Sequence, residues 1–557
     1  MCTVSLDDQR EVSFTAMSYT WGDPTARKDI DIDGHAFKTT DSVYEMILQR
    51  EHGIWLWIDA LCINQADFEE RASQVRLMSR IYGSADRVVI WLGPASEDSE
   101  LAMGFIQELN TKLPGLQSGD DLFEKASIEY WDPRWVAMGR LLERPWFSRL
   151  WVVQEVVLAS KLLQFSCGSC LLLWTDLEFA LVELQRVRAL GHIKTDISHP
   201  GDHEQMLTRT MPAGCSLLGI VQNIKMIWAE ETLDLTRALQ YVAYFSQVTD
   251  GRDKIYGLYG IASGVDDPEL TPDYNKAVEE VYIQTTRHLI TTDNSLQLLV
   301  DAGTGYHNNI LLPSWVPNYS FPHFPNRVAF DFPGNNFYEA SGSTSPTIHW
   351  TTGSNDLTLS GVIVDSLVYT GTSTTTMTGA ELREWVLEAL HLVGLFNESR
   401  PETISEEDLW KTLIGDRTPN SNLAKGVGVY GALFEYFKYW CQNPQDFVGM
   451  TPGQDTKIKR IYLVALEFAR ASVRITTTRK FGISRNGHPG ILPGTAAIGD
   501  KIAIILGLST PYIVRECPKF EKDSGEQKYI LVGECYLHHM MNGEGLKERV
   551  VENLIFQ

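Results

Sequence analysis

The strongest constraint on the fold is an apolar segment, Ile54-Trp55-Leu56-Trp57-Ile58, that runs directly into small polar residues. Because apolar and polar residues do not alternate, the segment predicts a strand covered on both faces, as in a parallel sheet flanked by helices. Such sheets bind ligands at the carboxyl ends of their strands. The side chains that follow Ile58 are therefore site candidates, and they include Asp59, Cys62, Asn64 and Gln65.

Two other segments end in the same way. Residues 12–19 are strand-like and stop at Thr20-Trp21-Gly22-Asp23-Pro24, where glycine and proline indicate a turn. Residues 87–92 predict a third strand, which Gly93-Pro94 terminates. Strands that alternate with helical segments predict an open α/β sheet.

Two helices are predicted between these strands. The first covers residues 41–49. The second starts at Asp67, a capping residue with Glu70 three positions on, and ends near Gly83.

Five blocks occur in order within the first 160 residues. They are Ser18–Asp23, Trp57–Gln65, Glu70–Tyr82 with its Gln74-Val75 and Met78, Trp91–Gly93, and Arg149–Glu155. Together they resemble the heterokaryon incompatibility (HET) domain of filamentous fungi, which is a far more specific signal than one short motif. Three later blocks resemble segments that often follow HET domains, namely Asp253–Gly260, Leu312–Pro317, and Val532–Tyr536 with Met541–Glu544.

The resemblance implies a role in fungal non-self recognition and regulated cell death. HET domains are similar in fold to Toll/interleukin-1 receptor (TIR) domains, which implies a TIR-like, flavodoxin-like open parallel sheet. Some TIR domains cleave NAD with the glutamate of a Trp-Cys-x-x-Glu helix. The segment Trp151–Glu155 has the same Trp-to-Glu spacing, with Val152 in place of the cysteine. The resemblance thus implies Glu155 as the catalytic residue and NAD as the substrate.

The chemistry of Glu155 has two interpretations. Cleavage of the nicotinamide–ribose bond develops positive charge on the sugar, which a nearby carboxylate stabilises. Glu155 lies in the apolar run 150–158, where an ionised carboxylate is costly unless it is paired or functional. The alternative is an ion pair that locks the helix to the sheet, with Arg149, Arg144 or Arg71 as the partner.

The predicted nucleotide-binding residues share a position at or after the strand ends. They are Tyr19, Trp21, Gly22, Asp23, Asp59, Asn64 and Arg71. Trp21 stacks on a base or plugs the core, and Gly22 lets the backbone approach a ligand. Asp23 bonds a ribose or starts the turn before Pro24.

Each of the remaining candidates also has a structural alternative. Asp59 meets a ribose or a cation, or it caps a helix or forms a structural pair. Asn64 contacts substrate or ties down its loop. Arg71 binds a phosphate or pairs with Glu69 or Glu155.

Composition excludes several partners. The net charge of −23 opposes binding to nucleic acid and to anionic membrane surfaces. Residues 1–8 show no secretory signal, no apolar run reaches spanning length, and eight scattered cysteines do not suggest a disulfide framework. We therefore expect a cytoplasmic protein with no resident cofactor.

Three short patterns resemble ligand-binding motifs, but each has a structural interpretation. No metal site is therefore predicted. Cys167-Gly168-Ser169-Cys170 fits a hairpin turn better than a zinc site, because no second ligand pair stands at finger spacing. The Gly426–Gly431 segment fits a loop better than a dinucleotide fingerprint. His538-His539 is interpreted as part of an exposed or pairing strand.

Three regions are predicted, namely the HET domain at 1–160, a mainly helical region at 161–305, and an α+β region at 306–557. Helical periodicity is clearest at 233–244 and 276–290. The last region contains strand-like segments at 357–364, 501–506 and 529–532, and helical segments at 380–395 and 458–472.

Two classes of function remain open. In one, the first domain consumes NAD, is held quiet by the regions that follow, and is switched on by assembly. In the other, it is a non-catalytic module that acts through self-association or a protein partner. The first predicts Glu155, Asp59 and Trp21 around one open cleft, whereas the second predicts Glu155 sealed by an arginine.

Overall fold

The computed structural model describes residues 3, 6, 13–23, 25–49, 53–118, 120, 122–129, 131–193, 211–230, 232–306, 310–321, 327–328, 330–331, 335–374, 378–400, 403–417, 427–447, 457–518 and 526–557. The chain divides into two compact units. They are Met1–Ile197 with Thr210–Val278, and Ser198–Arg209 with Glu279–Gln557.

The first unit contains seven strands in its described part. They are β1 (Phe14–Tyr19), β2 (Arg27–Ile32), β3 (His35–Thr40), β4 (Trp55–Trp57), β5 (Arg87–Trp91), β6 (Leu162–Cys167) and β7 (Cys170–Leu173). Its helices are α1 (Asp41–Leu48), α2 (Asp59–Cys62), α3 (Phe68–Ser84), α4 (Ser99–Lys112), α5 (Leu122–Ala126), α6 (Pro133–Leu142), α7 (Trp151–Val157), α8 (Trp174–Arg186), α9 (Ala213–Glu230), α10 (Leu235–Ala238) and α11 (Asp253–Tyr256).

A five-stranded sheet in the order β4-β1-β5-β6-β7 organises this unit. β1 pairs in parallel with β4 and β5, and β5 pairs in parallel with β6. The four parallel strands thus follow the flavodoxin-like order 2-1-3-4, which confirms the predicted α/β class. In such sheets, ligands bind beside the first strand at the carboxyl edge.

The prediction that the Ile54–Ile58 segment is covered on both faces was wrong. β4 is an edge strand of the sheet, and Trp55 is 56% exposed. An edge strand has a neighbour on one side only, so aromatic side chains on it can remain in contact with solvent. The β2–β3 hairpin, which precedes α1, is an additional element that the sequence did not predict.

The two faces of β1 belong to different cores. Met17 and Tyr19 pack with α1, whereas Ala16 packs with Met78 and Tyr82 of α3. Asp67 caps α3 as predicted, because its side chain accepts from the backbone N–H groups of residues 69 and 70. α3 therefore covers one face of the sheet.

The sheet continues past residue 160 through β6 and β7. These strands form the hairpin predicted around Gly168-Ser169. Helices α8 to α11, followed by α12 (Val278–Thr292), confirm that the middle of the chain is mainly helical.

The second unit is built on a nine-stranded sheet in its described part. The strands of this unit are β8 (Phe330–Asp331), β9 (Asn335–Asn336), β10 (Ile348–Trp350), β11 (Leu357–Thr370), β12 (Arg479–Ser484), β13 (Pro489–Pro493), β14 (Lys501–Ile505), β15 (Tyr512–Glu516), β16 (Lys528–Glu534), β17 (Tyr536–Leu537) and β18 (Glu552–Phe556). Among the described strands, β8 and β9 pair with each other alone, and β11 joins β18, β14 and β12. Five strands, β14-β15-β16-β18-β11, close into a ring because β11 also pairs with β14.

Besides α12, most of which belongs to this unit, four helices accompany the sheet in the described part of the chain. They are α13 (Gly379–Ser399), α14 (Glu406–Leu413), α15 (Val427–Gln442) and α16 (Lys457–Thr476). The predicted β-rich C-terminal region with helices is thereby confirmed. The prediction of a loop at 426–431 was wrong, because residues 427–431 form the start of α15. Among the described residues, no helix has both the length and the apolar character needed to cross a bilayer.

Candidate functional site

Asp59 joins the carboxyl ends of β1 and β4. It begins α2, directly after β4, and its carboxylate accepts hydrogen bonds from Tyr19 Oη at 2.6 Å and from Trp21 Nε1 at 2.8 Å. The backbone N–H of Ala60 donates to the same carboxylate at 2.7 Å. Three of the predicted site residues are therefore brought together at the sheet edge.

Tyr19 and Trp21 differ in accessibility. Tyr19 is buried, and burial followed by the charge of Asp59 raises the pKa of its hydroxyl well above the ordinary value. Trp21 is 38% exposed. Its ring is the part of this group that a planar ligand can reach, because Asp59 holds only its indole nitrogen.

Glu155 lies on α7 and is buried, with 3% of its surface exposed. The Ser18 hydroxyl donates a hydrogen bond to its Oε2 atom. Ser18 in turn accepts a hydrogen bond from Trp146 Nε1 at 2.7 Å. Glu155 is thus linked to the end of β1 by a hydrogen bond from the Ser18 hydroxyl.

None of the arginines considered as partners forms an ion pair with Glu155 in the described part of the chain. Arg149 donates to the backbone oxygen of Tyr19, and Arg144 donates to Leu92 O at 2.7 Å and Pro94 O at 3.0 Å. Arg71 pairs with other acids. The predicted salt-bridge alternative is therefore absent among these contacts.

Burial dominates the electrostatics of Glu155. Loss of hydration raises the pKa of its carboxyl from 4.5 to about 7. The positive charge of Arg149 and the Ser18 hydrogen bond oppose this rise, whereas the negative charge of Asp59 adds to it. Glu155 can therefore exchange a proton near neutral pH, as a catalytic acid or base must.

Glu155 and Asp59 approach opposite faces of β1. Successive side chains of a strand point to opposite faces, so Ser18 and Tyr19 direct their partners to different sides. Both acids lie beside the first strand, but Glu155 does not line an open cleft at 3% exposure.

Arg71 is held by two acids and a ring in this structure. It pairs with Asp250 at 3.3 Å and Asp253 at 3.2 Å, and its guanidinium lies 3.7 Å from the centre of the Tyr274 ring. Asp253 also accepts hydrogen bonds from Tyr274 Oη at 2.6 Å and Trp151 Nε1 at 3.3 Å. The predicted phosphate contact would have to displace these partners.

Asn64, Gly22 and Asp23 adopt local structural roles. Asn64 Oδ1 accepts from the Ala66 backbone at 3.2 Å, and Asp23 accepts from the backbone and hydroxyl of Thr25 at 2.8 and 2.6 Å. Gly22 has a φ of +74°, which favours glycine. These contacts agree with the loop and turn alternatives.

Sequence reasoning did not assign Ser18, Trp146, Asp253 and Tyr274 to the site. Ser18 and Asp253 stood within blocks of the HET resemblance, so their presence in those blocks was the available signal. Trp146 and Tyr274 carried none, because each meets its partner only through folding.

Comparisons with known proteins match the two ends of the chain. The family model "Heterokaryon incompatibility protein (HET)" matches residues 14–155, and the model "Het-6 beta-barrel domain" matches residues 449–554. The heterokaryon incompatibility protein 6, OR allele, of Neurospora crassa is 26% identical over 96% of this chain and 90% of that protein. No solved structure matches the chain.

The HET match ends at Glu155 and spans the blocks that include Ser18, Trp21, Asp59 and Arg71. The site geometry and these matches therefore concern the same segment. Over residues 14–155 the chain is similar to the heterokaryon incompatibility (HET) family, and over nearly its whole length it is similar to a Neurospora crassa protein named for heterokaryon incompatibility.

Proposed function

We propose that this chain acts in fungal non-self recognition and regulated cell death, and that its N-terminal domain hydrolyses NAD at the nicotinamide–ribose bond. The named relative from Neurospora crassa supports the first part, because its name assigns it to heterokaryon incompatibility. The second part rests on the site in the first unit. We further propose that it acts in the cytoplasm as an assembly of like chains.

The single observation that carries the catalytic part is that buried Glu155 forms no ion pair with any residue in the described part of the chain. A buried carboxyl without a positive partner is costly, so a chain that retains one has a use for it. The described contacts give Glu155 a hydroxyl partner, Ser18, and no arginine. The resemblance to TIR domains, which stays a prediction, implies the same residue.

The chemistry follows from the charge that develops on the sugar. As the bond from ribose C1 to nicotinamide breaks, the pyridinium nitrogen takes the electron pair and C1 becomes oxocarbenium-like. The Glu155 carboxylate would stabilise this charge, and water would then bond to C1 and release a proton. The products are nicotinamide and ADP-ribose. Trp21 would stack on a planar ring at the entrance.

The burial of Glu155 makes an opening step part of the proposal. The carboxylate is covered in this structure, so a substrate reaches it only after α7 or the end of β1 moves. α7 is held by the contact between Trp151 and Asp253. We propose that assembly of several chains shifts this equilibrium toward the open form.

The test is nicotinamide release by the purified full chain incubated with NAD, at low and high protein concentration. Wild type should release nicotinamide with a rate per chain that rises on assembly. Glu155→Gln should lower the rate by at least about 100-fold, because it keeps the shape and loses the charge. Glu100→Ala, at an exposed position of α4, is the matched control. Equal rates in wild type and Glu155→Gln would refute catalysis by this residue.

A second candidate is a non-catalytic module that self-associates. It is favoured by the edge strand β4, whose Trp55 is 56% exposed and whose neighbour Ile54 is 39% exposed. An uncovered edge can pair with another chain. If concentrated protein releases no nicotinamide but Trp55→Lys abolishes its self-association, the second candidate replaces the first.

A further inference from the structure

Three potential metal ligands converge in the second unit. Asp408 lies on α14, whereas His538 and His539 directly follow β17. The Nε2 atoms of His538 and His539 lie 3.3 and 3.1 Å from Asp408 Oδ1. One potential ligand atom from each of the three residues lies within 4.8 Å of the other two. The sequence predicted that these histidines form part of an exposed or pairing strand. That prediction does not explain why they converge on Asp408.

The spacing fits a metal centre. Two ligand atoms that each lie 2.0–2.1 Å from a tetrahedral zinc ion are about 3.3 Å from one another. The two measured separations are close to this value. Imidazole and carboxylate together suit zinc and similar divalent transition metals, and do not suit calcium or magnesium.

The groups behind these ligands hold them in place. Tyr536 Oη lies 2.8 Å from His538 Nδ1, and the other oxygen of Asp408 accepts from Ser405 N at 3.1 Å and Ser405 Oγ at 2.7 Å. When the Tyr536 hydroxyl accepts the Nδ1 proton, the lone pair of His538 Nε2 is available to a metal ion, and this outer hydrogen bond fixes the orientation of the ring.

The backbone of His539 is compatible with this arrangement. Its φ is +67°, in the left-handed region that residues other than glycine seldom adopt, with histidine among those found there more often.

We propose that Asp408, His538 and His539 bind one divalent transition-metal ion, with zinc as the best match. The side chain of His538 is 8% exposed, whereas that of His539 is 58% exposed. The ion would thus bind near the protein surface, between a buried histidine and an exposed one. Three protein ligands leave at least one coordination position open, so the ion can also take water or a ligand from solution.

The test is metal binding by the full chain after removal of metals with a chelator. Zinc titration in a calorimeter should give one tight site per chain, and cobalt added in place of zinc should give the visible absorption of a low-symmetry nitrogen and oxygen site. Asp408→Asn and His539→Gly should each weaken zinc binding by more than about 100-fold. Glycine is chosen at 539 because it accepts the left-handed backbone.

Two further variants make the test specific. Tyr536→Phe removes only the hydroxyl behind His538 and should weaken zinc binding about tenfold. His391→Ala removes an exposed histidine from α13 and should change nothing. Circular dichroism confirms that each variant folds. Absence of zinc uptake by folded wild type, or equal uptake by folded wild type, Asp408→Asn and His539→Gly, would overturn the proposal.

Discussion

The Ser18 hydroxyl, near the end of β1, connects this strand to α7 by donating a hydrogen bond to the buried carboxylate of Glu155. This contact holds Glu155 beside the carboxyl end of the first strand. Trp146 donates to the same hydroxyl, so Ser18 serves two buried groups at once.

Ser18→Ala should lower the free energy of unfolding of the first unit by about 1–3 kcal/mol, because it leaves Trp146 Nε1 and Glu155 without their shared partner. Urea unfolding measures the change. Ser160→Ala removes an exposed hydroxyl that bonds Gly83 O at 2.8 Å, and it should cost less than about 0.5 kcal/mol. Equal costs for the two variants would contradict the buried network.

Glu155 should make the first unit less stable as the pH rises. Its pKa is raised from 4.5 to about 7, so between these values the folded protein binds more protons than the unfolded chain. The free energy of unfolding therefore falls across this pH window, by about 3 kcal/mol. In Glu155→Gln this fall should be missing. Urea unfolding at pH 5, 6, 7 and 8 measures it, and parallel curves for both proteins would refute the shift.

Tyr19 and Asp59 should be energetically coupled. A double-mutant cycle with Tyr19→Phe and Asp59→Ala should give about 1.5–3 kcal/mol of interaction, because the hydroxyl donates to a charged acceptor. Asp23→Ala provides the control, since Asp23 bonds Thr25 instead. Tyr19→Phe and Asp23→Ala should add within about 0.5 kcal/mol.

Arg71→Met should strongly destabilise the first unit. It leaves Asp253, whose side chain is 9% exposed, without its positive partner, which costs about 3–5 kcal/mol. Arg76→Met removes an exposed arginine of the same helix that bonds Thr271 Oγ1 at 2.9 Å, and it should cost less than about 1 kcal/mol. A small loss for Arg71→Met would show that the ion pairs of Arg71 contribute little to stability.

Gln154→Met should stabilise the first unit. Both polar atoms of the Gln154 side chain are buried and have no hydrogen-bond partner among the described residues, and methionine has a similar shape. Removing an unsatisfied buried amide should raise the free energy of unfolding by about 1 kcal/mol. The exposed variant Gln185→Met should stay within about 0.5 kcal/mol of wild type. A loss of stability in Gln154→Met would mean that the amide is needed.

Local patterns in the sequence were sufficient for the sheet strands and for α3. The apolar runs before Trp21, Asp59 and Gly93 end within one residue of the ends of β1, β4 and β5, because strand and turn preferences act over a few residues. The cap at Asp67 is equally local. The edge position of β4 was not predictable in this way, since the neighbour of a strand is chosen by the whole sheet.

Tyr19, Trp21 and Asp59 stand at or just after the ends of predicted parallel strands. This position in the sequence was enough to predict that they would lie at one edge of the sheet. Only the tertiary structure decided that Arg71 pairs with Asp250 and Asp253, from a segment about 180 positions further along the chain. It also decided that Glu155 is buried and contacts a hydroxyl, and that two histidines meet Asp408. Such contacts depend on how distant segments pack, and no local preference encodes which side chains will share a desolvated space.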